Sequence, residues 1–175
     1  MNKNIFTVSG LLLAAAAFAM TVGQVLAGST TPTVYMSSVS VPVGGVATGS
    51  VYVTESLPGV TNYYTGTVSV NSAFAQIVDV TFDQSLIANL SCKTSVIFHR
   101  KNKSEVIFSA SCRRSIMGSG VLAKITYKGV NNTGRSRQLI TPSAFVFNKV
   151  SAPSVSGTIQ VTGFSPSPPP QPRNM

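Results

Sequence analysis

Side chains able to do chemistry are few in this chain of 175 residues, and their spacing limits what they can do. The acids are Glu55, Asp79, Asp83 and Glu105, the single histidine is His99, and the cysteines are Cys92 and Cys112. Glycoside hydrolysis needs two convergent carboxyl groups. Asp79 and Asp83 are the one close pair, and a separation of four lets strand parity place both on one face. Both read as solvent-facing positions with no cleft around them, so no catalytic site is expected. A zinc site is not expected, because His99, the one further ligand near the two cysteines, falls on the other face by strand parity, and four scattered acids do not make a calcium cage. The expectation is a protein without metal, cofactor or enzymatic activity.

The cysteines carry a more specific signal. They flank two strand-like runs, residues 94–99 and 105–110, joined by the polar turn Arg100-Lys101-Asn102-Lys103-Ser104. With Asn102 at the centre, Phe98 faces Val106, Val96 faces Phe108, and Cys92 faces Cys112. The apolar pairs then share one face, as cross-strand packing requires. In an oxidising compartment this predicts a disulfide closing the hairpin; two buried free thiols are the alternative. The same span holds Arg100, Lys101 and Lys103, with Arg113 and Arg114 just beyond. These five cations either form a patch for an acidic polymer or membrane surface or simply keep a sheet end solvated. Nucleic acid is not expected, because no aromatic ladder accompanies the charge. Tyr52, Tyr63 and Tyr64 are either candidates for a sugar-stacking platform near one loop or core and rim residues, and the absence of tryptophan favours the second reading. Three sequons begin at Asn89, Asn102 and Asn131.

Positioning these residues falls to strands. Thirteen Lys and Arg against four acids give a formal charge of +9, and 43% hydrophobic residues suffice for a buried core. From residue 34 onward, short runs alternate apolar and polar side chains between turn residues. Val39, Val41 and Val43 form one run, Val51 and Val53 flank Tyr52, and Val68 and Val70 alternate with Thr67 and Ser69. Val78, Val80 and Phe82 alternate with Asp79 and Thr81, which should face solvent. Val121, Ala123, Ile125 and Tyr127 should point inward, and residues 145–147 and 158–161 supply the last strands. About nine strands, each with one face to bury and no helix to bury it against, predict an all-β antiparallel sandwich.

Both ends of the chain differ from this middle. Residues 5–22 are almost wholly apolar behind Lys3, and Val25-Leu26-Ala27 fits the signal-peptidase rule, so residues 1–27 read as a signal peptide. A retained membrane anchor is the alternative; in the cleaved case the membrane is met only before cleavage. Removing Lys3 leaves twelve cations against four acids, a charge of +8. The protein is therefore expected to be exported, secreted or at the cell surface. Residues 28–33 read as a linker, 34–162 as one domain, and 163–175 as a Pro-rich extended tail.

Within that domain, Gly118-Ser119-Gly120-Val121-Leu122-Ala123-Lys124-Ile125-Thr126-Tyr127-Lys128 resembles the late core strand of cohesin-type domains, a glycine turn followed by an alternating strand. Tyr64-Thr65-Gly66-Thr67-Val68-Ser69-Val70, followed by Ile77-Val78-Asp79-Val80-Thr81-Phe82-Asp83, is similar to that family's paired strands leading into a loop. Ser156-Gly157-Thr158-Ile159-Gln160-Val161 resembles its closing strand. The resemblance spans residues 34–162 in the right order. It implies a nine-stranded jelly-roll sandwich of the cohesin and carbohydrate-binding-module kind: extracellular, non-catalytic, and binding a partner protein or polysaccharide. It carries no ligand-contacting residue over. Two functions stay open at this point: a secreted binding module, or a self-associating structural subunit of a surface layer or filament.

Overall fold

The computed structural model describes residues 32–57, 61–98 and 101–163. The segment read as a signal peptide, most of the expected linker, the Pro-rich residues after Gly163, and His99 and Arg100 lie outside the described residues. Twelve strands run in chain order as β1 (Val34–Met36), β2 (Val39–Pro42), β3 (Val46–Leu57), β4 (Tyr63–Ser69), β5 (Ala75–Phe82), β6 (Cys92–Phe98) and β7 (Glu105–Cys112), then β8 (Gly118–Gly129), β9 (Gln138–Phe147), β10 (Val150–Ser151), β11 (Ser154–Val155) and β12 (Gly157–Thr162). One short helix, α1 (Gln84–Ile87), follows β5. With the two-residue strands β10 and β11 set aside, and β1 and β2 taken as one interrupted run, the nine expected strands remain.

They form a sandwich of two sheets. One has the order β11-β1-β3-β8-β5; the other runs β2-β12-β9-β4-β7-β6, with β10 paired to β9. Most pairings are antiparallel, while β12 with β2 and β1 with β11 are parallel. The β1–β2 run contributes to both sheets and crosses between them at Ser37 and Ser38. Ser37 Oγ accepts from the Ser50 amide at 2.7 Å, holding the crossing to β3. Gly157 lies against it. A Cβ there would stand 2.5 Å from the Ser37 carbonyl oxygen, so only glycine lets the backbones approach this closely.

Alternation decides what the sandwich buries. Val51, Val53, Val68, Val106, Phe108, Ile125, Tyr127, Ile140, Ile159 and Val161 point between the sheets and are essentially inaccessible. The register of the cysteine hairpin is the expected one, with Phe98 opposite Val106, Val96 opposite Phe108 and Cys92 opposite Cys112. The cysteines are joined by a disulfide.

Two bulges shift the expected parity. Between Ile77 and Asp79 the β5–β8 register slips by one. Ile77 and Val80 are therefore the buried pair and Val78 is left half-buried. Between Val51 and Tyr52 the β3–β8 register skips Leu122. Leu122 turns into the core at 1% exposure, and Val121, expected inward, lies half-buried on the other side.

Candidate binding surface

The basic hairpin turn is tied down, not free. Asn102 donates from Nδ2 to Ser72 Oγ at 2.9 Å and its Oδ1 accepts from the Ser104 amide at 3.2 Å. The Ile77 amide donates to the Lys103 carbonyl at 2.8 Å, which locks the turn onto the start of β5. The side chains of Lys101 and Lys103 stay exposed; Arg100 lies outside the described residues. Arg113 and Arg114 emerge past Cys112, at the other end of the hairpin. At about 3.3 Å per residue the two cation groups stand roughly 20 Å apart. The four described cations, close in sequence, are two groups in space.

The tyrosines are likewise separated. Tyr63 and Tyr64 are neighbours on β4, so strand alternation sends them to opposite sides. Tyr63 is 37% exposed on the outer face, whereas Tyr64 is fully buried. Tyr64 is not a surface residue. Its hydroxyl donates to the Leu122 carbonyl at 2.9 Å, and its ring lies 6.2 Å from Phe147 and 6.5 Å from Phe82. Burial, and next the Asp83 carboxylate, push its pKa above the ordinary phenol value. Tyr52 sits half-buried on the outer face of the opposite sheet, stacked on Tyr35 with ring centroids 5.7 Å apart. Sequence reading missed Tyr35, because only the β1–β3 register sets it opposite Tyr52.

Of the acids, Asp79 is exposed on β5, while Asp83 lies past the strand's end as the N-cap of α1. Its carboxylate accepts from the Ser85 amide at 2.8 Å and pairs with Lys124 Nζ at 2.9 Å. The Ser85 hydrogen bonds and the Lys124 contact lower its pKa to about 2. A carboxylate held this way is ionised near neutrality and is no proton donor there. Glu55 Oε2 accepts from the Thr33 amide at 3.1 Å. Among the described residues no three His, Cys, Asp or Glu side chains gather as a metal site would require. A recess of about 200 Å³ beside Ser38, Ser40, Arg137, Thr158 and Gln160 has no acid or histidine in its lining.

The outer face of β9-β4-β7-β6 is a surface made almost wholly of residues without catalytic chemistry. Register places Ile97 beside Ile107, Thr67 and Ser143 in one row, and Ser95 beside Ser109, Thr65 and Val146 in the next. Lys93, Ser111 and Tyr63 continue it, and Leu139, 60% exposed, stands at one side. The four strands contain only two charged side chains, Lys93 and Glu105. A face of short hydroxyls and a few exposed aliphatic side chains, with little charge to desolvate, suits contact with another macromolecule. The signal was present in the outward members of each alternation, but their faces could be joined only once strand order was known.

Comparison with solved structures matches this architecture. A non-cellulosomal cohesin from Archaeoglobus fulgidus superposes with a TM-score of 0.63 at 16% identity, over 76% of this chain and 92% of that one. The fold is cohesin-like. A cohesin from a Clostridium thermocellum type I cohesin–dockerin complex gives 0.64 at 15% identity, over 77% and 95% of the two chains. The third cohesin ScaC of Acetivibrio cellulolyticus, in complex with the ScaB dockerin, gives 0.63 at 18% identity, over 75% and 99%. No protein-family model matches the sequence, and no curated protein matches it. The cohesin-like domain thus shares a backbone plan with these proteins and little sequence.

Proposed function

We propose that this chain is an exported, non-catalytic binding module that takes a protein partner on the outer face of β9-β4-β7-β6. The carrying observation is that face: Ile97, Ile107, Val146 and Tyr63 set among serines and threonines on a rigid sheet, with two charges in four strands. Support comes from the fold, since two of the compared cohesins were solved bound to dockerins. The apolar segment before Ala27 supports export, and with it the oxidising surroundings that the Cys92–Cys112 disulfide needs.

Polysaccharide binding is a second reading, favoured by the half-exposed Tyr35–Tyr52 stack on the opposite sheet. Capture of partners from the organism's extracellular fraction, with the wild-type domain and an Ile107→Asp/Val146→Asp variant, separates the two. Under the proposal the wild type retains a protein that the variant loses. Retention unchanged by the variant but lost with Tyr35→Ala/Tyr52→Ala moves function to the other face. A wild type that elutes only as large assemblies, with no other protein bound, points to a surface-layer or filament subunit.

A further inference from the structure

Strand β6 ends its sheet, and among the described residues nothing pairs with its outer side. The backbone groups on that side follow from the ladder. The Cys112 amide donates to the Asn62 carbonyl at 2.8 Å, so it turns toward β4 and away from Cys92. Antiparallel ladders alternate, so Ser111, Ser109 and Ile107 are the residues that bond back to Lys93, Ser95 and Ile97. The amides and carbonyls of Thr94, Val96 and Phe98 therefore point off the sheet. Common edge defences are missing from this strand. It has no proline and no register break, and its one charge is Lys93 at the far end. Phe98 is 40% exposed although its partner Val106 is fully buried, so the apolar interior reaches this edge and stops half-covered.

We propose that β6 is an acceptor for an extended acidic peptide, which adds to the sheet as a further strand. The amides and carbonyls of Thr94, Val96 and Phe98 supply the ladder, and alternate apolar side chains of the guest cover Val96 and Phe98. Charge selects the guest. Lys93, Arg113 and Arg114 flank one end of the strand, and Lys101 and Lys103 stand at the other. A second copy would bring these cations against their own kind, whereas carboxylates at both ends of an apolar strand meet them. This edge lies in the plane of the sheet, and so differs from the outer face on which Ile107 and Val146 stand.

The test titrates a synthetic peptide, Glu-Glu-Thr-Val-Thr-Val-Thr-Glu-Glu, into the isotope-labelled chain while amide shifts and hydrogen exchange are followed. The amides of Thr94, Val96 and Phe98 should gain protection. A peptide with Lys in place of each Glu, and one N-methylated on its β6-facing amides, should each bind at least about tenfold more weakly. Val96→Pro, tolerable at an edge, should abolish binding with the rest of the spectrum unchanged. If that variant unfolds, the N-methylated peptide decides. The proposal is overturned if the peptide causes no shift at millimolar concentration, if the Lys peptide binds equally, or if shifts centre on Ile107 and Val146. Protection of the same amides by raising protein concentration alone makes a second copy the occupant and equally overturns it.

Discussion

The hydroxyl of Tyr64, carried on one sheet, crosses the core and donates to the carbonyl of Leu122 on the other, at 2.9 Å. Leu122 is the residue that the β3–β8 register skips, so its backbone is free of the ladder there. The bulge creates a buried acceptor, and the tyrosine satisfies it. Tyr127 is the counter-case: equally buried, its hydroxyl has no hydrogen-bond partner among the described residues.

Tyr64→Phe should therefore destabilise the domain by about 1–2 kcal/mol, because the Leu122 carbonyl is left buried and unpaired. Tyr127→Phe removes a buried hydroxyl with no partner among the described residues and should be neutral or stabilising. Urea unfolding of the two variants side by side checks the difference.

Gly66 and Phe145 are a second matched pair. A Cβ on Gly66 would overlap the edge of the Phe145 ring, which in turn meets Phe108 edge-on with centroids 5.8 Å apart. Gly66→Ala forces that ring off its place and should cost about 1–3 kcal/mol. Adding Phe145→Leu should return part of the loss, measured as non-additivity in a double-mutant cycle.

Reduction of Cys92–Cys112, or Cys92→Ser with Cys112→Ser, releases a loop with a sequence separation of 20. Chain-entropy reasoning puts the loss at about 3 kcal/mol. The urea midpoint should fall accordingly. Exchange should rise first in β6, which among the described strands pairs with β7 alone.

The depressed pKa of Asp83 gives stability a pH dependence with a definite sign. The contribution is fully present above the ordinary carboxylate value near 3.8 and is lost as pH falls through about 2, where the folded-state group protonates. Asp83→Asn keeps an N-cap oxygen but no charge, and should flatten the acid limb of the stability profile between about pH 4 and 2. An unchanged acid limb in that variant would assign the dependence to another carboxylate.

What the sequence by itself determined is local. Period-2 alternation marked the strands and their inward residues. The symmetry of the hairpin about Asn102 set Cys92 opposite Cys112, because pairing across a tight turn depends only on chain distance. The bond from the Tyr64 hydroxyl to Leu122, the stacking of Tyr35 on Tyr52 and the outer face built from β9, β4, β7 and β6 belong to tertiary structure alone. Each depends on which strands, distant in sequence, become neighbours. The bulges at Leu122 and Val78 show why alternation could not reach them: one extra residue inverts every face beyond it, and the insertion is decided by the partner strand.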